Sequence, residues 1–259
     1  MIERSYSTFS SSRADDQAFL ALDDVARVTG DLDDTRVVGG LMVMLLSEAF
    51  PAKGVIPRRT ADVDAAISVS LAHSGALHER LTEAGYLASS GNRYVRGERV
   101  VDLLVPSGTG VFASAEHGGR GFDAVPGLTL ALAAPPVVHR LDVLLSDERS
   151  LQVQVRTPAV EQAVVLKALA TRSRSAAKDL VDLYNLLLIV EQYRREEIGG
   201  WRLDASELRG TRLDAVRQLE QLQRMPGLRA ALEGTGVTAP ALAQLIMAAI
   251  APAAGASDG

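Results

Sequence analysis

Asp62 and Asp64 stand in the stretch RRTADVDAAIS (residues 58–68), where they alternate with Val63, Ala65 and Ile67. Such alternation is the period of a strand, whose successive side chains point to opposite faces, so the two carboxylates share one face. Like charges that close repel each other, and aspartate is a poor strand former. A divalent cation between them removes the conflict, since Mg²⁺ (or Mn²⁺) takes hard oxygen ligands and shares them with substrate phosphates. Asp102 is centred in RVVDLLVP (99–106) and can bring a third carboxylate from a neighbouring strand. Three acids on adjacent strands suit two-metal phosphoryl or nucleotidyl transfer.

Other residues of chemical interest surround this group. Gly39 and Gly40 end the short apolar strand RVVGG (36–40) and pass directly into the helical run LMVMLLSEAF. A strand, two glycines and a helix place unpaired backbone N–H groups at a positive dipole end, where phosphate can come close. Lys167 lies in the apolar stretch VVLKALA, where burial without a partner is costly. Asp179 and Asp182 are one helical turn apart on the next helix and share a face. The four histidines have no ligand spacing and read as surface or core residues.

The elements that must position these groups follow from periodicity. Residues 1–13 read as a loose arm, and 15–31 as an amphipathic helix with Phe19, Leu22, Val25 and Val28 on one stripe. After the strand and helix around Gly39 comes the strand ADVDAAISV, then the helix GALHERLTEAGY. RYVRG and RVVDLLVP form two strands turning through Gly97-Glu98. Residues 107–136, with SGTGVF and EHGGRGF, read as glycine-rich mobile loops. A hairpin over 137–155 turns at Ser146–Arg149. Beyond Pro158 the pattern is helical, in PAVEQAVVLKALATR, SAAKDLVDLYNLLLIVEQYRREE, DASELRGTRLDAVRQLEQLQR and PALAQLIMAAIA, and APAAGASDG is a frayed tail. The expected fold class is α/β (α+β): a mixed-sheet domain over residues 1–155 and a helical bundle over 156–259.

Bulk properties narrow the function. Apolar residues make up 47% of the 259-residue chain and charged residues 23%, an ordinary globular balance. The absence of cysteine excludes disulfides and thiolate metal sites and suits a reducing cytoplasm. The polar N-terminus has no apolar leader segment, and the apolar runs are too short to span a bilayer, so a soluble cytoplasmic protein with no membrane partner is expected. A net charge of −5 argues against a surface that coats nucleic acid indiscriminately, but not against a local basic groove. Arg58 and Arg59, just before the acidic strand, and Arg172, Arg174 and Lys178, between the helices of Lys167 and Asp182, are the candidates to bind RNA there.

The order of these motifs resembles the DNA polymerase β-like nucleotidyltransferases. Gly-Gly at a strand–helix junction is followed by hydrophobic-Asp-hydrophobic-Asp on the next strand, and LKALATRSRSAAKDLVDLYNLL is similar to a lysine helix followed by a basic-Asp-x-x-Asp run. Together, over about Val37 to Leu188, they resemble the AbiEii/MenT family, the nucleotidyltransferase toxins of type IV toxin–antitoxin systems. The resemblance implies nucleotide-binding roles for Gly39, Gly40, Thr60, Lys167 and Asp179, although a serine often stands where this chain has Gly40. It implies metal binding by Asp62 and Asp64, a triphosphate contact from Lys167, and a catalytic aspartate at Asp182. Asp102 rests on superfamily logic, and either Asp182 or Asp102 can accept the acceptor's proton.

The resemblance also implies a nucleoside triphosphate as donor, an RNA acceptor such as the tRNA 3′ end, and a cognate antitoxin as partner. Two rivals stand beside it. One is a small-molecule nucleotidyltransferase of the aminoglycoside-modifying type, which needs an acidic acceptor pocket. The other is a catalytically inactive nucleotide-binding homologue.

Overall fold

The computed structural model of the chain describes residues 1–173 and 176–252. Residues 1–13 are not a loose arm. They contain strand β1 (Ile2–Phe9), which leads into helix α1 (Arg13–Thr29). Ile2, Arg4, Tyr6 and Thr8 turn inward along β1, a period-2 signal disguised by polar residues, and the strand is held by parallel pairing with residues 137–144. Ser12 caps α1 by accepting from the Asp15 backbone N–H, and Phe19, Leu22 and Val25 are buried as the stripe predicts.

Strand β2 (Thr35–Val38), helix α2 (Gly39–Ala49) and strand β3 (Asp62–Ile67) follow, then the short helices α3 (Val69–Ser74) and α4 (Ala76–Glu83). Strands β4 (Leu87–Ser90), β5 (Arg93–Arg96) and β6 (Arg99–Pro106) come next. Residues 107–136, expected as loops, form the hairpin β7 (Ala113–His117) and β8 (Arg120–Val125) and helix α5 (Leu128–Ala133). The hairpin closes through Gly118 and Gly119 at φ 57° and 73°, the positive pair that a tight two-residue turn requires. Strands β9 (Val137–Leu144) and β10 (Ser150–Thr157) make the expected second hairpin.

The rest is helical: α6 (Val160–Ala170), α7 (Ala177–Gln192), a 3₁₀ turn (Arg195–Ile198), α8 (Gly210–Gln223), α9 (Leu228–Ala231) and α10 (Ala239–Ile250). Residues 204–209 do not join α8 as the sequence suggests, and Asp204 instead pairs back to Arg195 of the 3₁₀ turn. The frayed tail falls mainly outside the described residues. No helix among the described residues is long and apolar enough to cross a membrane.

The fold is a mixed α/β arrangement with two mixed sheets, β1-β9-β10 and a seven-stranded sheet running β2-β3-β6-β5-β4, in which β8 also pairs with β6 and with β7. Alternation on β3 decides how the larger sheet is used. Val63, Ala65 and Ile67, with Val101, Leu103 and Val105 of β6, join a core shared with Phe19, Leu22 and Val25 of α1. Asp62 and Asp64 therefore point to the opposite side. There a second core packs α2 against α6, α7, α8 and α10 through Met42, Leu46, Val164, Leu183, Leu219 and Ile246. The carboxylates face the helices.

Candidate active site

β3 and β6 run parallel with Asp64 directly opposite Asp102, and β5 runs antiparallel to β6 with Arg93 directly opposite Asp102. Cross-strand partners share a face, so Asp64, Asp102 and Arg93 form one row across three strands. Asp62 lies two residues from Asp64 on that face. One carboxylate oxygen from each of Asp62, Asp64 and Asp102 lies within 4.8 Å of the others. Thr60 donates its hydroxyl to Asp62 Oδ1 at 2.7 Å and fixes that carboxylate.

Arg93 closes the row with two bonds to Asp102, Nε to Oδ1 at 2.9 Å and Nη2 to Oδ2 at 2.6 Å. Those hydrogen bonds, then the charge of Asp102, raise the guanidinium pKa above its ordinary value. Burial acts against them, and the charges of Asp62 and Asp64 add lesser pushes in the same direction as Asp102. Arg93 is a site residue that motif reading missed. The signal was present: a turn at Gly97-Glu98 pairs Arg96 with Arg99, and counting outward reaches Arg93 and Asp102.

The glycine turn sits against the same carboxylates. Gly39 has φ 70°, and a Cβ built on it would lie 1.8 Å from Asp64 Oδ2. A Cβ on Gly40 would lie 2.7 Å from Arg58 Nη2 and 3.4 Å from Thr60 Cβ. Gly39 has no room for a side chain, whereas one on Gly40 would press on the guanidinium end of Arg58. Val38 offers α2 no side-chain cap, and Gly39 and Gly40 at its first turn line the cavity, where helix-start N–H groups suit an anion.

That cavity measures about 690 Å³ and is walled by β3, β6, the β7–β8 hairpin, α6 and the start of α7. Lys167, 6% exposed, enters it from α6. Its Nζ donates to Asp179 Oδ1 at 3.3 Å and pairs with Asp182 Oδ2 at 2.7 Å. Asp182 is fully buried, and its other contacts are from Arg58, Nε to Oδ1 at 2.7 Å and Nη2 to Oδ2 at 3.3 Å. The buried Asp182 thus has two cationic partners, Lys167 and Arg58, which is what burial of a charge demands.

The remaining sequence candidates divide. Arg58 and Lys178 line the cavity with Asp179. Arg59 lines a neighbouring 260 Å³ cavity on the far side of Arg58, bonded to the Phe9 carbonyl and paired with Asp15. Arg172 donates to the Asp214 carbonyl of α8 and is not in the cavity wall. Arg174 lies outside the described residues. Phe112, Ser114 and Asp123 of the hairpin region line the cavity but were unreadable as site residues, because their segment carried no strand signal of its own.

No protein-family model matches the chain, and no curated protein matches it by sequence. Among solved structures the chain is similar to an antigenic nucleotidyltransferase-like protein from Paracoccidioides brasiliensis, known from its crystal structure. The two are 16% identical, the match covers 84% of this chain and 93% of that one, and the TM-score is 0.43.

Proposed function

We propose that the chain is a nucleotidyltransferase of the polymerase β-like kind, with residues 1–155 as its catalytic domain and 156–259 as the helical domain that completes the site. It moves a nucleotide from a nucleoside triphosphate to an acceptor hydroxyl. The observation that carries this reading is the meeting of Asp62, Asp64 and Asp102 with the Gly39-Gly40 turn and Lys167 in one cavity. Metal holders, phosphate donors and a leaving-group cation converge there.

The donor set fits a hard divalent cation, since all three ligands are carboxylate oxygens. When bound, Mg²⁺ or Mn²⁺ supplies Lewis-acid polarisation of the α-phosphate and acidifies the attacking hydroxyl. The chain's own residues do the rest. The first N–H groups of α2 receive the phosphates, and Gly39 lets them approach. Lys167 neutralises charge on the departing pyrophosphate. Asp102 lines the cavity and Asp182 does not, which supports Asp102 over Asp182 as the acceptor of the hydroxyl proton. Asp182 and Asp179 hold Lys167 in position.

The acceptor in this reading is RNA, such as the 3′ end of tRNA, and a cognate antitoxin restrains the toxin in the cell. Arg58 and Lys178 at the cavity support a phosphate-bearing acceptor. One observation favours the rival: Asp123 stands in the same wall, and an acidic wall suits a cationic small acceptor such as an aminoglycoside. Labelled triphosphates incubated with total RNA, and separately with aminoglycosides, separate the readings. Label on RNA that requires Asp62 and Asp64 supports the first, and label on the aminoglycosides alone supports the second. No label anywhere indicates an inactive homologue.

A further inference from the structure

Arg93 occupies an unusual place in the row. Its fork grips both oxygens of Asp102, yet its side chain is 48% exposed while that of Asp102 is 12% exposed. The arginine reaches in from the open side of the cavity and the acid is closed in. We propose that Arg93 is a resident counter-ion of the carboxylate cluster that must let go of Asp102 before a divalent cation can load, and that a triphosphate is what draws it away. This rests on the nucleotidyltransferase reading above.

Three physical points support it. A guanidinium at the cluster opposes any added cation, because it neutralises part of the negative charge and repels the newcomer at close range. A planar fork that binds a carboxylate through two parallel N–H bonds binds phosphate in the same way, so Arg93 can exchange one oxyanion for another without leaving the cavity. Its long side chain is half exposed, and no other hydrogen bond or ion pair among the described residues ties it down. Cation and nucleotide then each strengthen binding of the other, by the same factor in both directions. A bare cation binds weakly, and the cluster loads when the donor arrives.

The test uses two probes on the full chain: Mn²⁺ alone, and inorganic tripolyphosphate alone in excess chelator. Arg93→Met and Arg93→Lys are compared with wild type and with Asp64→Asn, and each variant is checked for an intact thermal transition. Arg93→Met should bind Mn²⁺ at least ~10-fold more tightly and tripolyphosphate more weakly. A merely structural arginine would weaken both. Arg93→Lys keeps the charge without the fork and should fall between. If Asp64→Asn weakens Mn²⁺ binding while Arg93→Met leaves it unchanged or weaker, Arg93 is not the occupant and the metal reading survives. If Mn²⁺ ignores Asp64→Asn, or binds neither wild type nor Arg93→Met, both ideas fail.

Discussion

Gly39 and Asp64 are packed so tightly that any side chain on the glycine would overlap the carboxylate, with a Cβ 1.8 Å from Oδ2. The contact joins the Gly39-Gly40 turn to the strand that carries the acidic pair, and β2 pairs with β3 so that Val38 faces Asp64. Gly39→Ala must therefore displace Asp64 and also hold a positive φ. A loss of about 2 kcal/mol or more in stability is expected, with turnover falling to background. Gly40→Ala is the control. It does not take a positive φ, and its nearest neighbour is Arg58 Nη2, which can shift at the expense of its longer bond to Asp182 while Nε keeps the shorter one, so its stability cost should be smaller, about 1 kcal/mol. Chemical denaturation of both variants checks the contrast, and equal costs would refute it.

Asp62→Ala and Asp64→Ala should each abolish transfer while leaving the fold intact. Each removes a cation ligand and also relieves repulsion among carboxylates within 4.8 Å of one another. Without added metal, the melting temperature should hold or rise slightly. With Mn²⁺ and tripolyphosphate added together, wild type should gain more stability than with tripolyphosphate alone, and the variants should not. A variant that keeps both its turnover and its Mn²⁺ shift would remove that residue from the metal site.

Lys167 allows structure and catalysis to be told apart. Lys167→Ala leaves Asp182 and Asp179 buried with less compensating charge, which should cost about 3 kcal/mol. Adding Asp179→Asn should recover part of that stability, because one of the acids facing the lost lysine becomes neutral. Turnover should not recover, since the charge proposed to face the pyrophosphate is still missing. Thermal melts and single-turnover rates on the pair test this. Recovery of both together would make Lys167 a purely structural residue.

The sequence is most legible where a local rule is broken for a reason. Two aspartates on an otherwise apolar strand, and a lysine inside VVLKALA, conflict with their own segments, and those conflicts lead to the cavity. Where the cause is long-range, the segment is silent. β1 is polar in composition and exists through pairing with β9, over 130 residues away in the chain. β7 and β8 are short and glycine-rich, and β8 gains its place by pairing with β6 at Leu104–Pro106. Arg58, Arg59 and Arg172 stand near the motifs in sequence, yet a buried acid and two backbone carbonyls draw them to different surroundings.

His139 should make this fold acid-sensitive well away from the cavity that holds Asp62, Asp64 and Asp102. Its ring is fully buried on β9, with Nδ1 3.0 Å from the Tyr6 hydroxyl and Nε2 2.8 Å from the Thr157 hydroxyl. Burial away from water lowers its pKa from 6.5 to about 3. A depressed folded-state pKa contributes stability that is fully present above 6.5. It is lost as pH falls toward 3, because the unfolded chain binds the proton first. At pH 5 the loss relative to pH 7 is about 2 kcal/mol. His139→Gln keeps a neutral group able to meet both hydroxyls, and should be less stable than wild type at pH 7 because the amide packs differently from the ring. Its stability should then fall by about 2 kcal/mol less than wild type's between pH 7 and pH 5, since the carboxylates that titrate in that range are common to both proteins. Denaturant unfolding of the two proteins at both pH values measures that difference directly, and parallel losses would show that His139 does not govern the acid response.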